Sequence, residues 1–266
     1  MCPAKVYLEQ TMAGSDLRRR LERMNGGPLA EAAALSEGTE LPPRDLAQSP
    51  GFTLPYEILH PQEGETCVRI RCPLARMVPE PWAQDAARCL TEAEGTVCMD
   101  LETLGLNFEP LFLVGLLSMR EGEPVLTQYL ARTYSEEPAV IRSGIRALRS
   151  AVAVATFNGL SFDIPYLSRR AGDHGIPPFR IRRHRDVLLE ARQRWAGRFR
   201  SFRLTALEQQ VLGRIREHDL PGAAAPQAWR GFVETGDAGP LTEVLRHNAM
   251  DLAGTASLMG RVSQAV

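Results

Sequence analysis

Two acidic residues, Asp100 and Glu102, stand two positions apart inside TVCMDLETLG, a stretch otherwise built from apolar strand formers such as Val97, Met99 and Leu101. On a strand, side chains two apart point to the same face. Both carboxylates then share one face, where they repel each other unless a cation lies between them, and burying such a pair unpartnered is costly. A fold that uses this segment as a strand has to bring partners to that face.

From residue 95 onward the pattern is α/β. Strands are expected at 97–102, 111–118 and 125–131, joined by the turn-like segments GLNFEP and REGEP, and such short links argue for an antiparallel meander. SEEPAVIRSGIRALRS, with Ser135 as its cap, early acids and late arginines, reads as a crossover helix. It returns a fourth strand, 151–157, parallel to its neighbour. A short strand near 180–187 and helical segments through LTALEQQVLG follow, and Leu241, Leu245, Leu252, Ala256 and Met259 mark a last helix over 241–262. The expected fold is a mixed sheet, a three-strand meander plus parallel strands, flanked by helices.

Three segments divide the chain. Residues 1–49 hold a short helix, 15–24, on a tether broken by Gly and Pro; residues 50–94, with strand-like TLPYEILHP and TCVRIRCPL and helix-like PEPWAQDAARCL, form an extension packing on the main domain, 95–266. Cys2, Cys67, Cys72, Cys89 and Cys98 lack zinc-ligand spacing and read as reduced, packed thiols. The longest apolar run, LFLVGLLSM, is too short to cross a bilayer, and MCPAKVYLEQ lacks a signal-peptide core, so the expected location is the cytoplasm.

Three motifs could supply partners for the acid pair. In TFNGLSFDIPYL, Asp163 fits either a helix cap or a metal ligand, and Asn158 either a turn or a hydrogen bond to a phosphate. In RHNAMDLAG, His247 and Asp251 share a helix face one turn apart, as an ion pair or as site residues. Asp186, in RHRDVLLEA, reads first as a helix cap. Acids from the first strand, from the end of a parallel strand and from the final helix can converge at one end of a sheet. Four carboxylates there are tolerable if two Mg²⁺ or Mn²⁺ ions, hard cations that prefer oxygen, offset their repulsion. Such an ion pair activates water and stabilises the leaving oxygen in phosphodiester cleavage. Net charge is only −1, yet between Arg180 and Arg216 eleven arginines face three acids, a local surface for phosphates. Since Lys5 is the only lysine, arginine also fills the ordinary basic positions.

DLET, NGLSFDIPYL and HNAMDL, in that order, resemble the exonuclease motifs of the DEDD superfamily on a ribonuclease H-like fold. NGLSFDIPYL is similar to the proofreading domains of family B DNA polymerases, and the wider run with LEQQVLG and DLPGAAAP resembles YprB-type ribonuclease H-like proteins. The resemblance implies a two-metal 3′–5′ exonuclease acting on the ends of single-stranded DNA or RNA. It makes Asp100, Glu102, Asp163 and Asp251 the metal ligands, with His247 as general base where one branch of the family has tyrosine. Thr103, Asn158, Phe162, Arg182 and Arg183 are the candidate contacts to the strand, and Phe157, Trp195 and Trp229 are stacking or core aromatics. Two other classes stay open: a non-catalytic nucleic-acid-binding module of the same fold, and a structure-selective endonuclease.

Overall fold

The computed structural model describes residues 42–217 and 220–263. The helix expected at 15–24, Cys2 and His218 lie outside the described residues.

Strands β1 (Tyr56–Leu59), β2 (Cys67–Pro73), β3 (Thr96–Thr103), β4 (Leu111–Arg120), β5 (Glu123–Leu130), β6 (Ala153–Thr156) and β7 (His184–Asp186) make one sheet, in the order β1-β2-β5-β4-β3-β6-β7. β3, β4 and β5 form the antiparallel meander, and β6 runs parallel to β3, as does β7 to β6. The β4–β5 link is as tight as a hairpin allows: Arg120 pairs with Glu123, and Glu121 and Gly122 have φ of 50° and 84°. A two-residue turn whose backbone twist matches the flanking strands needs positive φ at both central positions, which Gly122 meets without strain. The segment ahead of the meander enters the same sheet: β1 pairs with β2, and β2 with β5.

Helices α1 (Glu80–Glu92) and α2 (Glu137–Leu148) flank the sheet, followed by α3 (Asp163–Asp173), α4 (Val187–Arg194), the single turn α5 (Leu204–Leu207), α6 (Ala225–Thr235) and α7 (Gly239–Ser263). α2 packs on β4 across one face; α7 packs on β3 and β4 across the other, with α1 alongside it. The periodic residues of α7, Leu241, Leu245, Leu252, Ala256 and Met259, are all fully buried.

Two local readings change. The crossover helix starts later than Ser135: a 3₁₀ turn, Tyr134–Glu136, precedes it, and the Ser135 hydroxyl pairs with Thr133 Oγ1 at 3.0 Å. Glu136 and Glu137 are spoken for by Arg132 and Arg170, which fixes this entry by ion pairs in place of a serine cap. The strand near 180–187 shrinks to three residues because Asp186 stops it and caps α4, accepting from Leu188 N and Leu189 N at 3.1 and 3.3 Å. Cys67, Cys72, Cys89 and Cys98 are free and buried, and burial pushes the Cys67 thiol up to about 11 and Cys98 up to about 12, which leaves them unreactive. Among the described residues no helix is long and apolar enough to cross a membrane.

Candidate active site

Three elements supply the acids. Asp100 and Glu102 stand on the face of β3 that meets α7, where Asn248 Nδ2 donates to Asp100 Oδ2 at 2.8 Å. Asp163 is the first residue of α3, so Phe162 and not Asp163 holds the cap position. Its buried carboxylate turns instead toward β3, where the backbone N–H groups of Leu101 and of Asp163 itself favour its charged form. Asp251 comes from the middle of α7.

Carboxylates from all three elements are close enough to raise the proton affinity of Asp100, Glu102 and Asp163. Burial raises Asp100 well above the usual carboxylate range, with Asp251, Asp163 and Glu102 adding to it and the Asn248 hydrogen bond opposing. Glu102 is raised in the same way, by burial and then by Asp251 and Asp163. Asp163 is pushed up to about 7, first by burial and then by Asp186 and Asp251, against the pull of its two backbone donors. Shielded like charges that cannot all ionise together are stabilised when positive charge is brought among them.

Two supports hold the outer members, and both depend on a missing side chain. Asn248 is fully buried, accepts from Gln128 Nε2 at 2.8 Å, and sits where a Cβ on Gly115 would fall 2.0 Å from its Oδ1. Gly115 is the cross-strand partner of Asp100, so the strand opposite the acid is hollowed to admit the amide that holds it. On the other side Arg216 Nη1 donates to Asp251 Oδ1 at 2.6 Å, while its Nε and Nη2 form a fork on Glu208 at 2.8 and 2.6 Å. Burial works against that guanidinium's charge, but Glu208 and Asp251 outweigh it and raise its pKa. Glu208 reaches Arg216 over Gly254, where a Cβ would meet Glu208 Oε1 at 2.0 Å. His247 Nε2 stands 3.7 Å from Asp251 Oδ2.

Asn248, Gln128, Arg216 and Glu208 were not singled out in the sequence. Asn248, three residues before Asp251 on one helix face, carried a usable signal; Arg216 showed only as one arginine among many. Of the expected strand contacts, Asn158 is a left-handed turn residue at φ 69°, its N–H given to Asp186 Oδ1 at 3.2 Å. Thr103 Oγ1 donates to Gly105 O at 2.8 Å, and Phe162 packs on Tyr166 with ring centres 5.1 Å apart. Arg182 and Arg183 are not brought to the acids. They precede β7, whose His184 aligns with Val154, while Thr96 aligns with Ala153, so Asp100 lies several residues further along the sheet. Trp195 and Trp229 are core, the indole N–H of Trp229 donating to Ala131 O at 2.6 Å.

The donor set suits hard divalent cations: all four groups are oxygen donors, and the raised proton affinity of Asp100, Glu102 and Asp163 is the charge deficit such ions offset. Among the described residues no three His, Cys, Asp or Glu side chains form a ready-made cage for one ion. Beside the acids opens a cleft of about 440 Å³ bordered by His247, Arg216, Arg214, Trp82 and Met250.

A sequence profile described as the RNase H superfamily matches residues 97–263. The chain belongs to the RNase H superfamily. The RNase H match starts at the second residue of β3 and ends with α7, so it contains all four acids and His247 and leaves β1, β2 and α1 outside. Among solved structures, the family B DNA polymerase from the hyperthermophilic archaeon Pyrobaculum calidifontis is similar at 16% identity, over 61% of this chain and 24% of that one, with a TM-score of 0.48. The RNase H chain thus spans about a quarter of that polymerase. No curated protein matches it.

Proposed function

We propose that this RNase H superfamily member is a metal-dependent nuclease that hydrolyses phosphodiester bonds from the 3′ ends of single-stranded DNA or RNA. One observation carries the reading: carboxylates from β3, α3 and α7 converge so that Asp100, Glu102 and Asp163 hold their protons more tightly than free acids, with Asp251 contributing to each, as a centre built to take up positive charge does. Asp100, Glu102, Asp163 and Asp251 would hold two Mg²⁺ or Mn²⁺ ions, and Asp100 is the acid on which the other three all act. When bound, the ions supply a more acidic water and offset charge on the leaving oxygen.

The side chains do the rest. His247, beside Asp251, accepts the proton of the attacking water as its oxygen bonds to phosphorus. The P–O3′ bond breaks and the departing 3′ oxygen takes a proton from solvent. The cleft lined by Trp82, Arg214 and Met250 receives the strand next to the acids, and the exposed arginines of the 180–203 segment hold its backbone. In this scheme residues 95–266 are the nuclease body in the cytoplasm, with 50–94 extending its sheet.

End-labelled single-stranded DNA and RNA, incubated with Mg²⁺ or Mn²⁺, test the proposal: wild type shortens the strand stepwise and Asp100→Ala does not. Equal loss of label by both proteins rejects it. Circular single strands stay intact for an exonuclease and are cut by an endonuclease. One observation favours a second reading, a nucleic-acid-binding module without turnover: Arg216 already occupies Asp251 Oδ1. Tight binding of strands with no cleavage in either metal decides for it.

A further inference from the structure

On the sheet face away from the acids lies a second cleft, of about 320 Å³, with Arg69, Arg71, Arg120 and Arg146 around it and Tyr129 and Ser143 in its wall. Its position follows from strand alternation. Gln128 reaches Asn248 on the α7 face, so Tyr129 and its ladder partner Arg69 point the opposite way, toward α2, which supplies Ser143 and Arg146. Arg120 ends β4 seven residues beyond Leu113, the partner of Glu102, which places it about 24 Å along the sheet from the acid pair, whereas Arg69 lies level with Leu101 and three strands away, about 14 Å across the opposite face.

The arginines of this cleft carry more charge than the carboxylates around them offset. Arg142, Arg170, Arg185 and Arg216 each pair with a carboxylate. Around this cleft Glu57 pairs with Arg69 alone, and Arg146 spends a hydrogen bond on Pro61 O at 3.2 Å. The C-terminal end of α2 adds about half a negative charge. Glu123, the ladder partner of Arg120, faces the same side, so four guanidinium groups meet about two and a half negative charges. Burial and the neighbouring Arg69 and Arg120 make the Arg71 proton easier to lose, so these cations strain against one another. The hydroxyls of Tyr129 and Ser143 offer further donors to an anion. None of these wall residues except Arg120, Tyr129, Ser143 and Arg146 falls within the RNase H match, because β1 and β2 build the other side.

We propose that this cleft is an exosite for the phosphate backbone of the nucleic-acid strand whose end is processed at the acids. The proposal rests on the nuclease reading for the identity of its ligand. Guanidinium forks suit phosphate oxygens, and a cleft open along one face can follow a strand in a way that a closed pocket for a lone anion cannot. A long strand reaches both sites, whereas a dinucleotide reaches one.

The test compares wild type with Arg71→Glu/Arg120→Glu, two exposed positions whose exchange leaves the core untouched. Binding of a long fluorescein-labelled single strand is followed by anisotropy in EDTA across a salt series, and hydrolysis of a dinucleotide is followed with Mn²⁺. The double variant is expected to bind the strand at least tenfold more weakly, with a salt slope lower by about 1.4, two single-strand phosphates' worth. Its dinucleotide hydrolysis matches wild type. Unchanged strand affinity and slope overturn the exosite, as does a polyglutamate probe held by these arginines in preference to the strand. Arginine-dependent strand binding without any hydrolysis supports the exosite and sinks the nuclease reading alone; hydrolysis with arginine-independent binding does the reverse.

Discussion

Gly115→Ala isolates the support under Asp100. Position 115 lies in the middle of β4, opposite Asp100 on one side and Gln128 on the other, and its φ is not positive, so the alanine backbone is unstrained. The added methyl would sit 2.0 Å from Asn248 Oδ1 and 2.7 Å from its Cγ and Nδ2. Asn248 is fully buried and cannot swing to solvent, so the strand or α7 must shift. Overpacking of this kind costs about 1–3 kcal/mol, and the weakened bond to Gln128 adds about 1, softened because Gln128 Nε2 keeps Leu245 O at 2.8 Å. About 2–4 kcal/mol in a domain of this size lowers Tm by roughly 4–16 °C. Circular dichroism melts of wild type, Gly115→Ala, Asn248→Ala and the double variant measure it. If the clash is the cause, the double variant is less destabilised than the sum of the two singles, because the shortened residue 248 leaves room for the methyl. A Gly115→Ala melt within a degree of wild type, or strict additivity in the cycle, refutes the reasoning.

Arg216→Met strips a buried fork from Glu208 and is expected to cost about 3–5 kcal/mol in urea unfolding, most of it regained in Arg216→Met/Glu208→Gln; a loss under about 1 kcal/mol would contradict the pairing. In chelator, Asp163 holds its proton more tightly folded than unfolded, so its contribution to stability is full below about pH 4, falls as pH rises, and is gone above about 7. Asp163→Asn is therefore expected to melt higher than metal-free wild type at pH 8 and to match it at pH 4, and equal differences at both values would show that Asp163 is not raised. Mn²⁺ at a hundredfold excess over its Kd is expected to add about 2.7 kcal/mol, roughly 5–11 °C in Tm, to wild type and little to Asp100→Ala.

The acids were legible because each announces itself locally. Asp100 and Glu102 break an apolar strand at the period that puts them on one face, and Asp163 and Asp251 stand at sequence features, a strand end and an apolar helix, that a sheet brings to one edge. The meander and the parallel β6 were legible for a like reason, since link length decides between hairpin and crossover. What holds the acids apart or together was not. Arg216 lies 35 residues from Asp251, and Asn248 lies 148 from Asp100, and such partners are chosen by packing rather than by spacing. Asp163 shows how a local rule yields: a residue placed to cap α3 became its first residue, with Phe162 at the cap position and the Asp163 carboxylate turned toward the strand that carries the other two acids. The same competition explains Gly115 and Gly254. Each looks like a plain interruption in sequence, yet each clears the volume through which an amide or a carboxylate reaches the charge beside it, so the glycines encode the electrostatics of the site as firmly as the acids do.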